Sequence, residues 1–343
     1  MAKPLELGMD TFGDVMSDAA GRPLSQAQAL RNVVEEAALA DEVGVDFIGL
    51  GEHHRDDFAI SAPEIVLAAI AARTKRIRLG TAVTVLSSDD PIRVFQRFST
   101  LDALSNGRAE IMLGRGSFTE SFPLFGFPLS QYEDLFEEKL ALFVELIRNP
   151  RVTWSGSFRT PLKGQPVYPL METGELPTWI GVGGTPESVA RAAKYNLPVM
   201  FAIIGGDAGR FVPLVDLYRR ASAHFGVNPR AVGCHSPGYV GRSDEEARAD
   251  FYADFKANRD RIGGERGWPP MQESEFDREI RSGALYVGSP ETVAQKIAAT
   301  ARTLELDRFD LKYSAGGLSH EKILGCIERY GREVIPRVRA LLG

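Results

Sequence analysis

Glu52, His53 and His54 follow directly on the apolar run 47–50 and Gly51. An imidazole titrates near neutral pH and therefore suits proton transfer. In parallel α/β proteins the carboxyl end of a strand is where chemistry is placed. Side chains alternate along a strand, so His53 and His54 enter one pocket together only if the strand has already broken. One imidazole is therefore a candidate acid–base group and the other a structural one. The plainer alternative is a pair of hydrogen-bonded loop histidines.

A second constellation lies at 178–193, TWIGVGGTPESVARAA. A strand runs into Gly181, Gly183 and Gly184, and a helix follows. Thr185 suits the N-cap, Pro186 the first helical position and Ser188 the third. Open backbone N–H groups at such a helix start face an anion, and the glycines let it approach. The run is a phosphate cradle or, more plainly, a capped helix. It is not a dinucleotide fingerprint, because the third glycine is missing and the strand is not the first. Residues 288–296, GSPETVAQK, echo the motif. That copy reads as capping alone, since an insertion rather than a strand precedes it. Arg115, between Gly114 and Gly116 after the run 109–113, adds a guanidinium suited to phosphate.

The elements that must position these groups alternate. Strands are expected at 5–11, 46–50, 76–85, 109–113, 178–182, 198–203, 231–240 and 309–313. Helices are expected at 25–42, 63–73, 91–104 and 132–147, and from 186, 211, 290 and 321. A hairpin at 151–158, turning at Ser155-Gly156, lies in an insertion at 149–176. A second insertion, polar and rich in Gly and Pro, spans 258–284 and suits a lid. Eight strands separated by helices predict one α/β domain over 1–343, a (β/α)8 TIM barrel with insertions. A doubly wound open sheet is the alternative.

Composition narrows the classes. The chain has 343 residues, 44% hydrophobic and 25% charged, with a net charge of -6. No basic stripe argues for nucleic acid. The N-terminal segment has no apolar signal core and no stretch suits a bilayer, so a cytoplasmic protein without a membrane partner is expected. Cys234 and Cys326 have no metal-ligand spacing. Apolar helix positions such as Phe95, Phe98 and Leu101 suggest a homodimer.

The run 79–86 (LGTAVTVL), the Glu-His-His run, 104–108 (LSNGR), 114–116 (GRG) and GVGGTPES, in this order, resemble the bacterial-luciferase-like flavin monooxygenases. The resemblance extends from the first strand to the final helix. It implies a barrel that takes reduced FMN from a separate reductase and uses O2 on a small organic substrate through a peroxide at flavin C4a. Carried over, His53 is the active-site histidine, and Asp10 and Thr11 line the mouth. Ala82 and Val83, joined by a cis peptide, lie under the ring. Arg115 and the backbone of Gly183, Gly184 and Thr185, with Ser188, hold the phosphate, and Gly114 lies beside the flavin. The luciferase light-emitting subunit has cysteine where this chain has Gly114 and glutamate where it has Gly184, so light emission is not implied.

Other readings are a deazaflavin-dependent hydride-transfer enzyme, a non-catalytic flavin-binding or pairing subunit, and a metal-dependent hydrolase using His53, His54 and His320. Against the last, the first strand carries no histidine and the last ends in Ser314-Ala-Gly-Gly317 without an aspartate. Aldehydes, sulfonates and other small organics are candidate substrates. Phe118, Phe122, Phe125 and Phe127 either wall an apolar pocket or pack beneath their own loop.

Overall fold

Residues 4–18, 21–172 and 174–343 are described by a computed structural model. Its eight parallel barrel strands are β1 (Glu6–Thr11), β2 (Phe47–Leu50), β3 (Arg78–Thr81, resuming as Thr84–Val85), β4 (Ile111–Gly114), β5 (Thr178–Val182), β6 (Val199–Ala202), β7 (Val232–Val240) and β8 (Arg308–Lys312). Hydrogen bonding runs β2–β1–β8–β7–β6–β5–β4. The first half of β3 pairs with β2 and its second half with β4, which closes the ring. A doubly wound open sheet is thereby excluded.

Local chemistry explains the helices between the strands. In α1 (Gln26–Val43), Ser25 accepts a bond from the Gln28 N–H, and Gly44 closes the far end at φ 88°. In α3 (Pro91–Ser105), the Asp90 carboxylate accepts from the N–H groups of Ile92 and Arg93. The remaining helices used below are α2 (Pro63–Ala71), α4 (Tyr132–Arg148), α5 (Pro186–Lys194), α6 (Val212–His224), α7 (Asp244–Arg266), α8 (Glu273–Ser282), α9 (Pro290–Leu304) and α10 (His320–Arg329).

Alternation on the strands divides two interiors. Leu7 and Met9 of β1, and Phe309 and Leu311 of β8, are buried in the apolar layer beneath the helices. The intervening positions face the barrel axis and are charged or glycine: Glu6, Gly8 and Asp10 on β1, and Arg308, Asp310 and Lys312 on β8. At the base, Arg308 donates to Glu6 Oε2 at 2.8 and 3.0 Å and to Glu110 Oε2 at 3.0 Å. Its guanidinium lies 4.5 Å from the Phe47 ring and 4.4 Å from the Trp179 ring. Arg78 bridges the same two carboxylates, at 2.5 Å from Glu6 and 3.2 Å from Glu110. This is the filled layer that a closed barrel of this size requires.

Several expectations are corrected. The third strand is not continuous, because it breaks at Ala82–Val83, a cis peptide as the resemblance implied. The hairpin is wider than a turn at Ser155-Gly156, since Arg151–Trp154 pairs with Leu162–Pro166. Glu138 of α4 accepts the N–H groups of Ser157 and Phe158 and holds the longer loop. Residues 258–284 are mostly helical. Ser243 caps α7 through the Glu246 N–H, and Gly267 ends it in a left-handed turn. Gly263 does not break α7; it leaves room for Trp268, which folds back with a bond to the Gly263 carbonyl. Tyr286–Gly288 forms an extra strand beside the end of β7. Phe95, Phe98 and Leu101 are buried within the chain, so they offer no face to a second subunit. Ile65 and Leu104, on α2 and α3, are the exposed apolar positions there. No helix among the described residues is long and apolar enough to cross a membrane.

Candidate active site

A cavity of about 540 Å³ opens at the carboxyl ends of the strands. Of the residues singled out in the sequence, Asp10, His53, Ala82, Val83, Gly114, Arg115 and Gly183 line it. Thr11 does not. Its side chain turns away to bond Ser314 Oγ at 2.8 Å and to accept from the Gly13 N–H. Gly184, Thr185 and Ser188 also lie outside the lining, at the start of α5 beyond the rim.

The two histidines separate, although the strand ends at Leu50 and both stand in the loop after it. His54 Nε2 is 2.9 Å from Glu52 Oε1, while Glu52 Oε2 accepts the Val85 N–H at 2.8 Å. His54 thus helps pin the loop after β2 to the second half of β3. His53 faces the cavity, boxed by the rings of Phe12, Phe58 and Phe118 at centroid distances of 4.6, 4.7 and 5.2 Å. Its Nε2 is buried without a partner. Burial pulls its pKa down to about 3, with Asp14 and Asp57 opposing and Lys312 and His54 adding to the fall. His53 is therefore a neutral imidazole at working pH, able to accept a proton or share a hydrogen bond.

The cradle is open on its anion-facing side. Thr185 stands at the N-cap of α5 but makes no side-chain cap bond, and its hydroxyl instead donates to Ser188 Oγ at 2.8 Å. Gly184 has φ 113°, a conformation that side chains rarely adopt, and a Cβ on Gly183 would meet nothing within 4 Å. Arg115 Nη2 reaches Ser188 Oγ at 3.2 Å, and its other nitrogen pairs with Glu133. Arg191, three residues after Ser188 on the same helix face, brings a second guanidinium to Ser188 at 3.4 Å. Sequence reasoning missed it, although that spacing was the available signal. The echo at Gly288–Lys296 differs. Ser289 caps α9 through the Thr292 N–H, and Asp244 takes the Ser289 N–H and the Thr292 hydroxyl. A carboxylate already fills that helix start, so capping is its whole role, even though a strand does precede it.

The bend in β3 has small neighbours. A Cβ on Gly114 would come within 2.5 Å of Val83, and one on Gly181 within 2.9 Å. These positions let the Ala82–Val83 segment form part of the cavity wall.

Residues 11–307 match the family model of the luciferase-like monooxygenases. The chain belongs to that family. N-acetyl-S-alkylcysteine monooxygenase of Bacillus subtilis (strain 168) is 25% identical over 304 residues, covering 84% of this chain and 88% of the relative. The oxygenating constituent of 3,6-diketocamphane monooxygenase from the CAM plasmid of Pseudomonas putida, solved with FMN, superposes with a TM-score of 0.77 at 18% identity, over 98% of this chain and 99% of that one. The coenzyme F420-dependent tetrahydromethanopterin reductase of Methanopyrus kandleri superposes with a TM-score of 0.69 at 16% identity, over 98% and 99%. These two likenesses show a shared fold.

In this member of the luciferase-like monooxygenase family the four phenylalanines at 118–127 do not act together. Phe118 lines the cavity, Phe122 stacks on Tyr132 at 5.3 Å, Phe125 meets His54 at 5.1 Å, and Phe127 lies 4.0 Å below the Lys139 ammonium. The three histidines weighed for a metal diverge as well. His53 enters the cavity, His54 binds Glu52, and His320, the first residue of α10, lies 3.0 Å from Glu36 on the outside of the barrel. Two polar sets went unread in the sequence. His235 on β7 lies 2.9 Å from Asp10 Oδ2, and Lys312 donates to both Asp14 oxygens at 3.0 Å. Charged residues two apart on β8, and in the same phase on β1 at Glu6 and Asp10, were the signal, since an apolar strand that carries them must face a polar interior.

Proposed function

We propose that the chain is a flavin monooxygenase that uses reduced FMN and O2 to oxygenate a small organic substrate, the reduced FMN coming from a separate reductase. The observation that carries this reading is the uncapped start of α5 beside Arg115, at the rim of a largely apolar cavity that also holds His53. The fit to FMN is good: a phosphate is an anion for the open N–H groups of α5 and the Arg115 guanidinium, and the cavity beside it leaves room for a flat ring against Ala82–Val83. When bound, the reduced flavin supplies the electrons that activate oxygen. Arg115, Ser188 and the Gly183–Thr185 backbone hold its phosphate, Val83 supports its ring, and Phe12, Phe58 and Phe118 keep water from His53 Nε2, where a proton is accepted or returned.

Arg115→Ala is expected to weaken FMN binding by about 1.5–3 kcal/mol, the loss of a charge-assisted contact. Riboflavin, which lacks the phosphate, should bind both forms alike. Titration by flavin fluorescence measures both, and an FMN affinity unchanged in the variant removes the phosphate assignment. Binding of a deazaflavin in preference to FMN would redirect the reading to hydride transfer.

The last turns of α7 act, in this reading, as the lid. Arg55, after β2, pairs with Glu265 at 2.6 Å and Glu120 at 2.5 Å, Arg261 pairs with Asp57, and the Arg266 guanidinium lies 4.9 Å from the Phe118 ring. Salt screens such partly exposed pairs. Glu265→Gln and high salt should each increase quenching of bound oxidised FMN by iodide. Identical quenching in all conditions would mark α7 as a fixed cover.

A further inference from the structure

The β1–β7–β8 wall of the cavity carries polar groups for which the flavin has no use. Asp310 is fully buried and lines the cavity, and neither of its carboxylate oxygens has a hydrogen-bond partner. Strand register sets it beside Gly8 of β1 and His235 of β7. A Cβ on Gly8 would come within 2.1 Å of Asp310 Oδ1, so the absent side chain is what admits the carboxyl group. Toward the mouth, Asp10 is also fully buried; Oδ2 meets His235 Nδ1, and Oδ1 is unpartnered. Each buried polar atom without a partner costs on the order of 1–3 kcal/mol. Three such oxygens on one wall of one cavity point to a ligand that completes them.

The surrounding charges are committed elsewhere. Below Asp310, Arg308 and Arg78 are shared between Glu6 and Glu110. Above it, Lys312 is held by Asp14, which also takes the Ser314 hydroxyl. From β7 and the C-terminal segment, the Cys234 thiol and the Tyr330 phenol are kept protonated by burial. Two cations balance two carboxylates at the base and Lys312 balances Asp14, so among the described residues no cation is paired with Asp310. Burial accordingly raises its pKa well above the usual carboxylate range, with Arg308 opposing only in part. A carboxyl group that keeps its proton at neutral pH donates as well as accepts.

We infer that Asp310, Asp10 and His235 form a second polar subsite, which binds a carbonyl or hydroxyl oxygen of an otherwise apolar organic substrate by donating a hydrogen bond to it. The inference rests on the monooxygenase reading and deepens it. Met112, Met200 and Phe12 supply the apolar surroundings. The Asp310 carboxyl group donates a hydrogen bond to the substrate oxygen and keeps its proton. Asp10 and His235, whose ring is the member of the set with some exposure, at 13%, line the approach to that oxygen. Two roles are thus divided between walls: neutral His53 accepts, and protonated Asp310 donates.

The test uses the full chain without flavin and carbonyl-labelled 2-octanone as the probe, read by infrared difference spectroscopy and calorimetry. In the wild type the bound carbonyl band should lie to the red of its position in a hydrocarbon solvent. In Asp310→Ala the band should return toward the hydrocarbon position, with an affinity loss of about tenfold. Asp310→Asn, nearly isosteric and still a donor, should give an intermediate band that no longer responds to pH, which guards against a misfolded alanine variant. FMN affinity should stay at the wild-type value in both. Absence of a bound-ketone band in the wild type, or the same band in all three proteins, overturns the subsite. A ketone shift in a wild-type protein that fails to bind FMN upholds the subsite and removes the flavin reading instead.

Discussion

His53→Ala should lower turnover roughly a hundredfold or more, the usual contribution of a positioned acid–base group, while FMN affinity stays near the wild-type value. The split follows from position. His53 sits in its cage of phenylalanine rings after β2, whereas the proposed phosphate contacts are at Arg115 and α5. Single-turnover product yield with supplied reduced FMN, beside a binding titration, separates the two effects. Equal turnover in both proteins would take His53 out of the mechanism. The pH response has a defined sign. An imidazole in the unfolded chain has a pKa of about 6.5, and in the fold burial holds His53 at about 3. Between these values the unfolded state binds the extra proton, so stability falls as pH is lowered through that window. His53→Phe should lose part of this acid sensitivity, and denaturant midpoints across the window measure it. The turnover profile should show no break near the ordinary histidine pKa that disappears in His53→Ala.

Arg308→Met is expected to cost about 3–5 kcal/mol of stability, because Glu6 and Glu110 are then left with Arg78 alone and one buried negative charge is uncompensated. Arg308 has no exposed surface. Burial alone would lower its pKa; the charge and hydrogen bonds of Glu110, with Asp310 and Glu6, outweigh burial and raise it. Adding Glu110→Gln to Arg308→Met should recover part of the loss, since one uncompensated charge goes with it. Urea unfolding of the two variants tests this, and a loss under about 1 kcal/mol in the single variant would mean the base relaxes or admits water.

The barrel was legible because its outer strand faces are apolar and its helices are punctuated. Ser25 and Gly44 bound α1, and the Gly-Thr-Pro run announced α5 with its open start. The inner faces were not legible in the same way. Glu6, Asp10, Arg308 and Asp310 lie far apart in sequence, and only closure of the ring brings them to one axis, so their pairing has no local signature. Spacing by two on β8, and by four across Gly8 on β1, was the sole hint. Gly263-Gly264 misled in the opposite direction, suggesting a loop where tertiary packing of Trp268 onto Gly263 sustains a helix. The Phe95 face reads as surface in the sequence because its cover, α2 and α4, is supplied by other parts of the chain.

The guanidinium of Arg308, wedged between Phe47 and Trp179, makes the barrel a cul-de-sac. Whatever reaches Asp310 arrives through the mouth beneath α7 and departs by the same route. A guest that descends first lies below the rim where α5 and Arg115 wait, and one anchored at the rim first stands in the path of the next. Sequence of arrival is therefore a property of the vessel's shape, and the deepest guest is the last to leave.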